Sequence, residues 1–144
     1  MQDGRCLRFT LYGRQTFAVS NTITFRVRWG GVSGTVLAAS GALVQAAVTA
    51  GIWSMEGIIQ CRANGSSGSL YCMGRAKVND DVTQTVGSAT NAGVEDFMGS
   101  AGVATPAAVT VDLTADTALS FTAQFGTAGS NTLTGHILLL ETLN

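Results

Sequence analysis

The octet TITFRVRW, Thr22 to Trp29, alternates apolar and polar residues without a break: Ile23, Phe25, Val27 and Trp29 fall on one side, Thr22, Thr24, Arg26 and Arg28 on the other. A repeat of two matches the pleat of a β-strand with one buried face and no other regular element. The same alternation runs through LRFTLY (Leu7, Phe9, Leu11 inward), AVTVDLT (Val109, Val111, Leu113) and ALSFTAQF (Leu119, Phe121, Ala123, Phe125), each ending in turn-forming residues. GTVLAAS, GIWSMEGIIQCRA, SLYCMGRAKV and NTLTGHILLLETLN bring the number to about eight strands. That number and spacing predict an all-β sandwich or barrel. Only GALVQAAVTA and GVEDFM have helical composition, and Gly41 and Gly51 bracket the first as turns of a β-protein would, so neither is assigned as helix. Pro106 precedes a strand, where a missing N–H does least harm. With no repeat or linker, residues 1–144 are expected to form a single domain.

The chain is 46% hydrophobic but only 12% charged, about half the usual charged fraction of roughly 25%. A surface so poor in charge is expected to be covered in part by a partner. Net charge is −1, which gives no field to draw nucleic acid or an anionic membrane. The charges are unevenly placed: Arg5, Arg8, Arg14, Arg26 and Arg28 lie in the first 28 positions, whereas eight of nine acidic residues follow position 50. These arginines are the candidate contacts to an acidic protein surface. No run approaches the roughly 18 apolar residues of a membrane span, and MQDGRCLRF lacks the order of a signal peptide, so a soluble, unprocessed product is expected.

In GIIQCRANGSSGSLYC, a turn at Ser66-Ser67 would set Cys61 directly across from Cys72. Buried thiols fit the general preference of cysteine for interiors, and a cross-strand disulfide is the second reading. A zinc site would need about four ligands, and neither Cys6 nor the only histidine, His136, has the required spacing. His136 sits in an apolar strand and reads as a structural or interface residue. No nucleophile elbow, phosphate loop or dinucleotide fingerprint occurs, and Glu56 and Asp112 are lone carboxylates, so neither catalysis nor a cofactor is expected. Asn64 begins a formal glycosylation triplet that reads as a flexible turn. Asn79 to Thr105, rich in small residues, reads as a long loop of functional or covered type.

The last strand is apolar on both sides: HILLLETLN places Ile137, Leu139 and Leu143 on one face and Leu138 and Leu140 on the other. Such a strand is either central in a core or covered on its second face by another subunit, and the low charge favours the subunit. His136, Leu138 and Leu140 are the expected interface residues.

The order TFRVRWGG, then WSMEGIIQCR, a Gly/Ser hairpin and finally TALSFTAQFGTAGSNTLTGHILLLETLN resembles the small jelly-roll virion proteins of tailed bacteriophages, over roughly 21–144. These include capsid decoration (cement) proteins and related head- or tail-fibre domains. The resemblance implies a jelly-roll type antiparallel β-sandwich, assembled in the host cytoplasm as a homotrimer, that binds major capsid proteins on the outer surface of the phage head. A first strand starting so close to Met1 favours a cement protein over a fibre tip. The alternative is a receptor-binding fibre tip that recognises a host surface molecule through loops such as 79–105.

Overall fold

The computed structural model describes residues 2–79, 93–100 and 106–143. Among them the chain forms ten strands and no α-helix: β1 (Cys6–Phe17), β2 (Asn21–Trp29), β3 (Thr35–Ala39), β4 (Leu43–Gln45), β5 (Val48–Ala63), β6 (Gly68–Val78), β7 (Val94–Met98), β8 (Val109–Val111), β9 (Leu119–Phe125) and β10 (Thr132–Thr142). The expected all-β antiparallel sandwich is what forms, with ten strands rather than eight. GALVQAAVTA supplies β4 and the start of β5, and VEDFM is β7. β7 therefore lies inside the segment read as one long loop; residues 80–92 and 101–105 of that segment fall outside the described residues.

Sheet A runs β10-β1-β5-β6-β7, with β8 beside β7 on the same edge of β6. Sheet B is narrower: β2 is flanked on one side by β9 and on the other by β4 and then β3. The inward residues are those the alternation marks, with Phe9, Ile23, Phe25, Val27, Met55, Ile59, Leu70 and Val78 each fully or almost fully buried. Ring pairs show which strands face each other. Phe9 meets Phe121 at 5.1 Å between centroids and Phe17 meets Phe125 at 5.4 Å, so β9 lies over β1. Phe25 stacks on Trp53 at 5.4 Å, so β2 lies over β5. β10 lies beyond β1 at the edge of sheet A, and among its residues only Leu133 packs against the core, so the rest of the strand overhangs the sandwich.

Trp53 ties the overhang down. Its indole N–H points between β1 and β10 and donates to the carbonyls of Arg14 and Thr134, each at 3.2 Å. The ring reaches them across Gly13, which pairs with Gly135 in the place where the β1–β10 ladder shifts register. A Cβ on Gly13 would overlap both the Thr134 carbonyl oxygen and the indole. A second close approach is Gly57 opposite Gly74, where the Phe9 ring fills the space that a Cβ on Gly57 would take.

The β5–β6 hairpin corrects the cysteine register. The turn is where the sequence puts it, with the Gly68 N–H bonded to the Gly65 carbonyl at 3.0 Å around Ser66-Ser67. An irregularity between Cys61 and Ala63 then shifts the ladder, so Cys61 faces Leu70 and Cys72 faces Ile59. The two thiols are offset diagonally, and none of the three cysteines is in a disulfide.

The Gly13–Trp53 fit makes a direct prediction. Gly13→Ala is expected to cost about 2–3 kcal/mol as an overpacked site, read as a lowered urea midpoint. Arg8→Ala, on the exposed face of the same strand, should fall within about 0.5 kcal/mol of the parent. A Gly13→Ala protein as stable as the parent would show that the indole does not sit in this slot.

Candidate functional site

β10 is the feature that sets this surface apart. Every residue from Thr134 to Thr142 is exposed, including Ile137 (51%), Leu138 (56%), Leu139 (56%) and Leu140 (50%), and Leu143 just beyond is 42% exposed. One edge of the strand pairs with β1 and, among the described residues, the other ends the sheet. An unpaired edge offers a row of backbone donors and acceptors to another strand, and natural proteins usually blunt such an edge with charge or proline. Here the described residues offer only Glu141, which is already paired with Arg8 at 3.6 Å. Covering the exposed halves of these five side chains would contribute about 1 kcal/mol each, or roughly 5 kcal/mol per subunit before the costs of association.

The expectation that one face of this strand lies in the core is corrected: Leu133 packs against the core, but from Thr134 to Thr142 both faces are open. Leu138 and Leu140 do turn to the inner side, opposite Leu11 and Phe9, but they remain half exposed there. Next to them a cleft of about 250 Å³ enters the sandwich between β9 and β10 and reaches Phe25, Trp53 and Met55 in the core.

The grouping of His136 with Leu138 and Leu140 is corrected as well. Strict alternation would put all three on one face, but Tyr12 pairs with Ile137 and Gly13 with Gly135, leaving His136 as the extra residue of a bulge. The bulge turns His136 to the outer face, where it lines a recess of about 270 Å³ with Arg14, Thr16, Thr132 and Thr134.

The candidate arginines do not form one patch. Arg8 and Arg14 project from the outer face of sheet A, Arg26 and Arg28 from the outer face of sheet B, and Arg5 precedes β1. Two strands adjacent in sequence lie in opposite sheets, and that separates the sets. Arg26 donates to Gln124 Oε1 at 2.8 Å, and Arg28 donates to Thr122 Oγ1 at 3.3 Å and the Gly34 carbonyl at 2.8 Å. No carboxylate occurs in the four strands of sheet B.

One apolar feature was missed in the sequence. Ile58, Met73 and Phe97, the last 81% exposed, border a groove of about 400 Å³ on the outer face of sheet A, rimmed by Arg8, Glu56 and Arg75. Arg75 pairs with both Glu56 and Glu95 there. The signal was available, since Ile58 and Met73 occupy the polar phase of their alternations.

Among the described residues no cluster of three or more His, Cys, Asp or Glu is placed to hold a metal ion, and no helix is long and apolar enough to cross a membrane. Comparison with protein-family models, with curated proteins and with solved structures finds no match to this chain.

The thiols give a chemical test of the packing. Desolvation pushes Cys72 from 9.0 up to about 12, and burial raises Cys61 in the same direction. An unfolded chain ionises these thiols near pH 9 while the folded one keeps them neutral. Stability that is whole below pH 9 therefore erodes as pH rises toward 12, by up to about 1.4 kcal/mol per unit for Cys72, and Cys61 acts in the same direction. The loss of stability between pH 8 and 10.5 should be smaller in Cys72→Ala than in the parent, and an equal loss in both would contradict the burial of this thiol. In the native protein at pH 8, a disulfide reagent should modify Cys6 rapidly and Cys61 and Cys72 only on unfolding.

Proposed function

We propose that this chain is a structural virion protein of a tailed bacteriophage, a decoration (cement) protein that binds as a homotrimer to the outside of the head and links neighbouring major capsid proteins. The observation that carries the assembly part is β10, an eleven-residue edge strand exposed on both faces and apolar through Ile137 to Leu140. The further step, to a phage head, is supported by the resemblance of the sequence pattern and by a charge content too low for a surface that stays solvated.

The role needs no bond-breaking chemistry. A protein that binds only where several capsid subunits meet recognises the assembled shell and not its parts, so its binding free energy stabilises the shell by mass action. Three copies held together multiply weak contacts through effective concentration. In this reading β10 and the cleft beside it lie between subunits. The outer face of sheet B, with Arg26 and Arg28 among Thr, Ser and Gln and without a carboxylate, turns to the capsid. Arg26 and Arg28 are steadied by their own hydrogen bonds and so lose little freedom on docking.

Light scattering of the purified protein should give the mass of three chains. Leu138→Lys with Leu140→Lys should give a folded single chain. Arg26→Glu with Arg28→Glu should remain trimeric yet fail to co-sediment with undecorated heads, with at least a tenfold loss of binding. A single-chain parent would overturn the assembly reading. Undiminished decoration by the arginine variant would remove sheet B as the capsid face.

A further inference from the structure

We infer that the recess formed by Arg14, Thr16, Thr132, Thr134 and His136 is a carboxylate-binding site that receives an Asp or Glu side chain of a protein docking along β10. The assignment to a protein ligand rests on the reading of β10 as an interface; the carboxylate chemistry rests on the recess itself.

The placement follows from the ladder. Arg14 pairs with Thr134 and Thr16 with Thr132, so these four side chains stand together on the outer face of sheet A. Two irregularities then shape the recess from either side. On β10, the bulge brings His136 onto this face beside Thr134. On β5, Val48 pairs with Phe17 and Gly51 with Gln15, leaving two residues opposite Thr16 alone, one of which, Ala50, has φ of 58°. A non-glycine residue in that region is uncommon and is retained where surrounding structure enforces it. Its effect is visible: the Ala50 N–H donates to Thr16 Oγ1 at 3.1 Å. With its oxygen accepting that bond, the Thr16 hydroxyl has its proton to donate elsewhere.

The lining is rich in donors and contains no carboxylate. Among the described residues the Arg14 guanidinium has no ion pair or side-chain hydrogen bond, unlike Arg8, Arg26, Arg28 and Arg75, which all have one. A guanidinium beside an imidazole and three hydroxyls matches a planar two-oxygen anion, which arginine binds with two parallel N–H bonds. The site is also held in place from below. The carbonyls of Arg14 and Thr134 both accept from the Trp53 indole, so the backbone carrying two of the donors is pinned to the core.

Size and composition select the source of the anion. About 270 Å³ lies just under the roughly 300 Å³ at which small-molecule pockets begin. No Phe, Tyr or Trp lines the recess to stack against a sugar. The recess adjoins the apolar run from Ile137 to Leu140 on the same strand, so a partner covering that run passes directly over it.

His136 is the only histidine in the chain, so its ring Hε1 gives one proton resonance that reports on this recess alone. The measurement is that resonance during titration with N-acetyl-glutamate amide, with N-acetyl-glutamine amide, inorganic phosphate and glucuronate as comparisons. It is made on the Leu138→Lys, Leu140→Lys protein, so that a neighbouring copy cannot occupy the recess. The expected result is a saturable shift with the glutamate derivative in the millimolar range and none with the glutamine derivative. Arg14→Gln should weaken binding at least tenfold. That change leaves the backbone carbonyl to Trp53 intact, and His136→Gln, followed through the amide resonances of Thr134, supplies a second variant. No saturable shift, or an equal one in Arg14→Gln, would overturn the site. Tighter binding of phosphate or glucuronate than of the glutamate derivative would overturn the protein side chain as its ligand. Binding by a protein whose parent is a single chain in solution would leave the carboxylate site standing and refute the assembly reading, so the two fail separately.

Discussion

One indole N–H shared between two carbonyls ties the β1–β10 ladder of this protein to its core. Trp53 reaches from β5 across β1 to the backbone of β10, through a slot that a side chain on Gly13 would close. The other end of its ring system is stacked on Phe25 in the opposite sheet. A buried indole that lost these acceptors would carry an unsatisfied donor, at a cost of about 1–3 kcal/mol. The same contact therefore joins the two sheets, fixes the register shift of β10 and fixes the side to which His136 turns.

From that anchor the surface follows. Sheet A is two strands wider than sheet B, counting across β10-β1-β5-β6-β7 against β9-β2-β3. β9 covers β1, and the width runs out there. Leu138 and Leu140 are turned inward by their pleat but have no opposing layer, while Ile137 and Leu139 are turned outward on the other face. A chain with a charged surface could leave such a strand in water; this one has only 12% charged residues over its length. In the assembly proposed above such a unit is completed by association, and the recess beside Arg14 would give the same edge a polar point of recognition. Apolar cover supplies the gain in such an arrangement, and a buried charge pair sets the register.

The pleat alternation of β1, β2 and β9 was legible in the sequence because each of those strands has one wet and one dry face. The turn at Ser66-Ser67 was legible for the same local reason, its Gly/Ser chemistry. What could not be read was the effect of single extra residues. The shift after Cys61 moves the cysteines out of register, and the bulge at His136 moves that residue to the other face; both are set by packing across the sandwich, with no local signature. The separation of Arg8 and Arg14 from Arg26 and Arg28 likewise depends on which sheet each strand joins. β10 was recognised as apolar on both faces, but that neither face is covered within the subunit depends on the relative width of two sheets, a property of the whole fold.

The measurement that bears most directly on this account is hydrogen exchange along β10, comparing the protein at high concentration with the Leu138→Lys, Leu140→Lys variant. If the free edge and both faces of β10 lie against a neighbouring copy, amides of residues 133–142 that do not bond to β1 exchange slowly in the parent and at solvent-exposed rates in the variant. Alternating fast and slow exchange that is the same in both proteins, at every concentration, would mean that the edge stays in water and that the strand is not an interface.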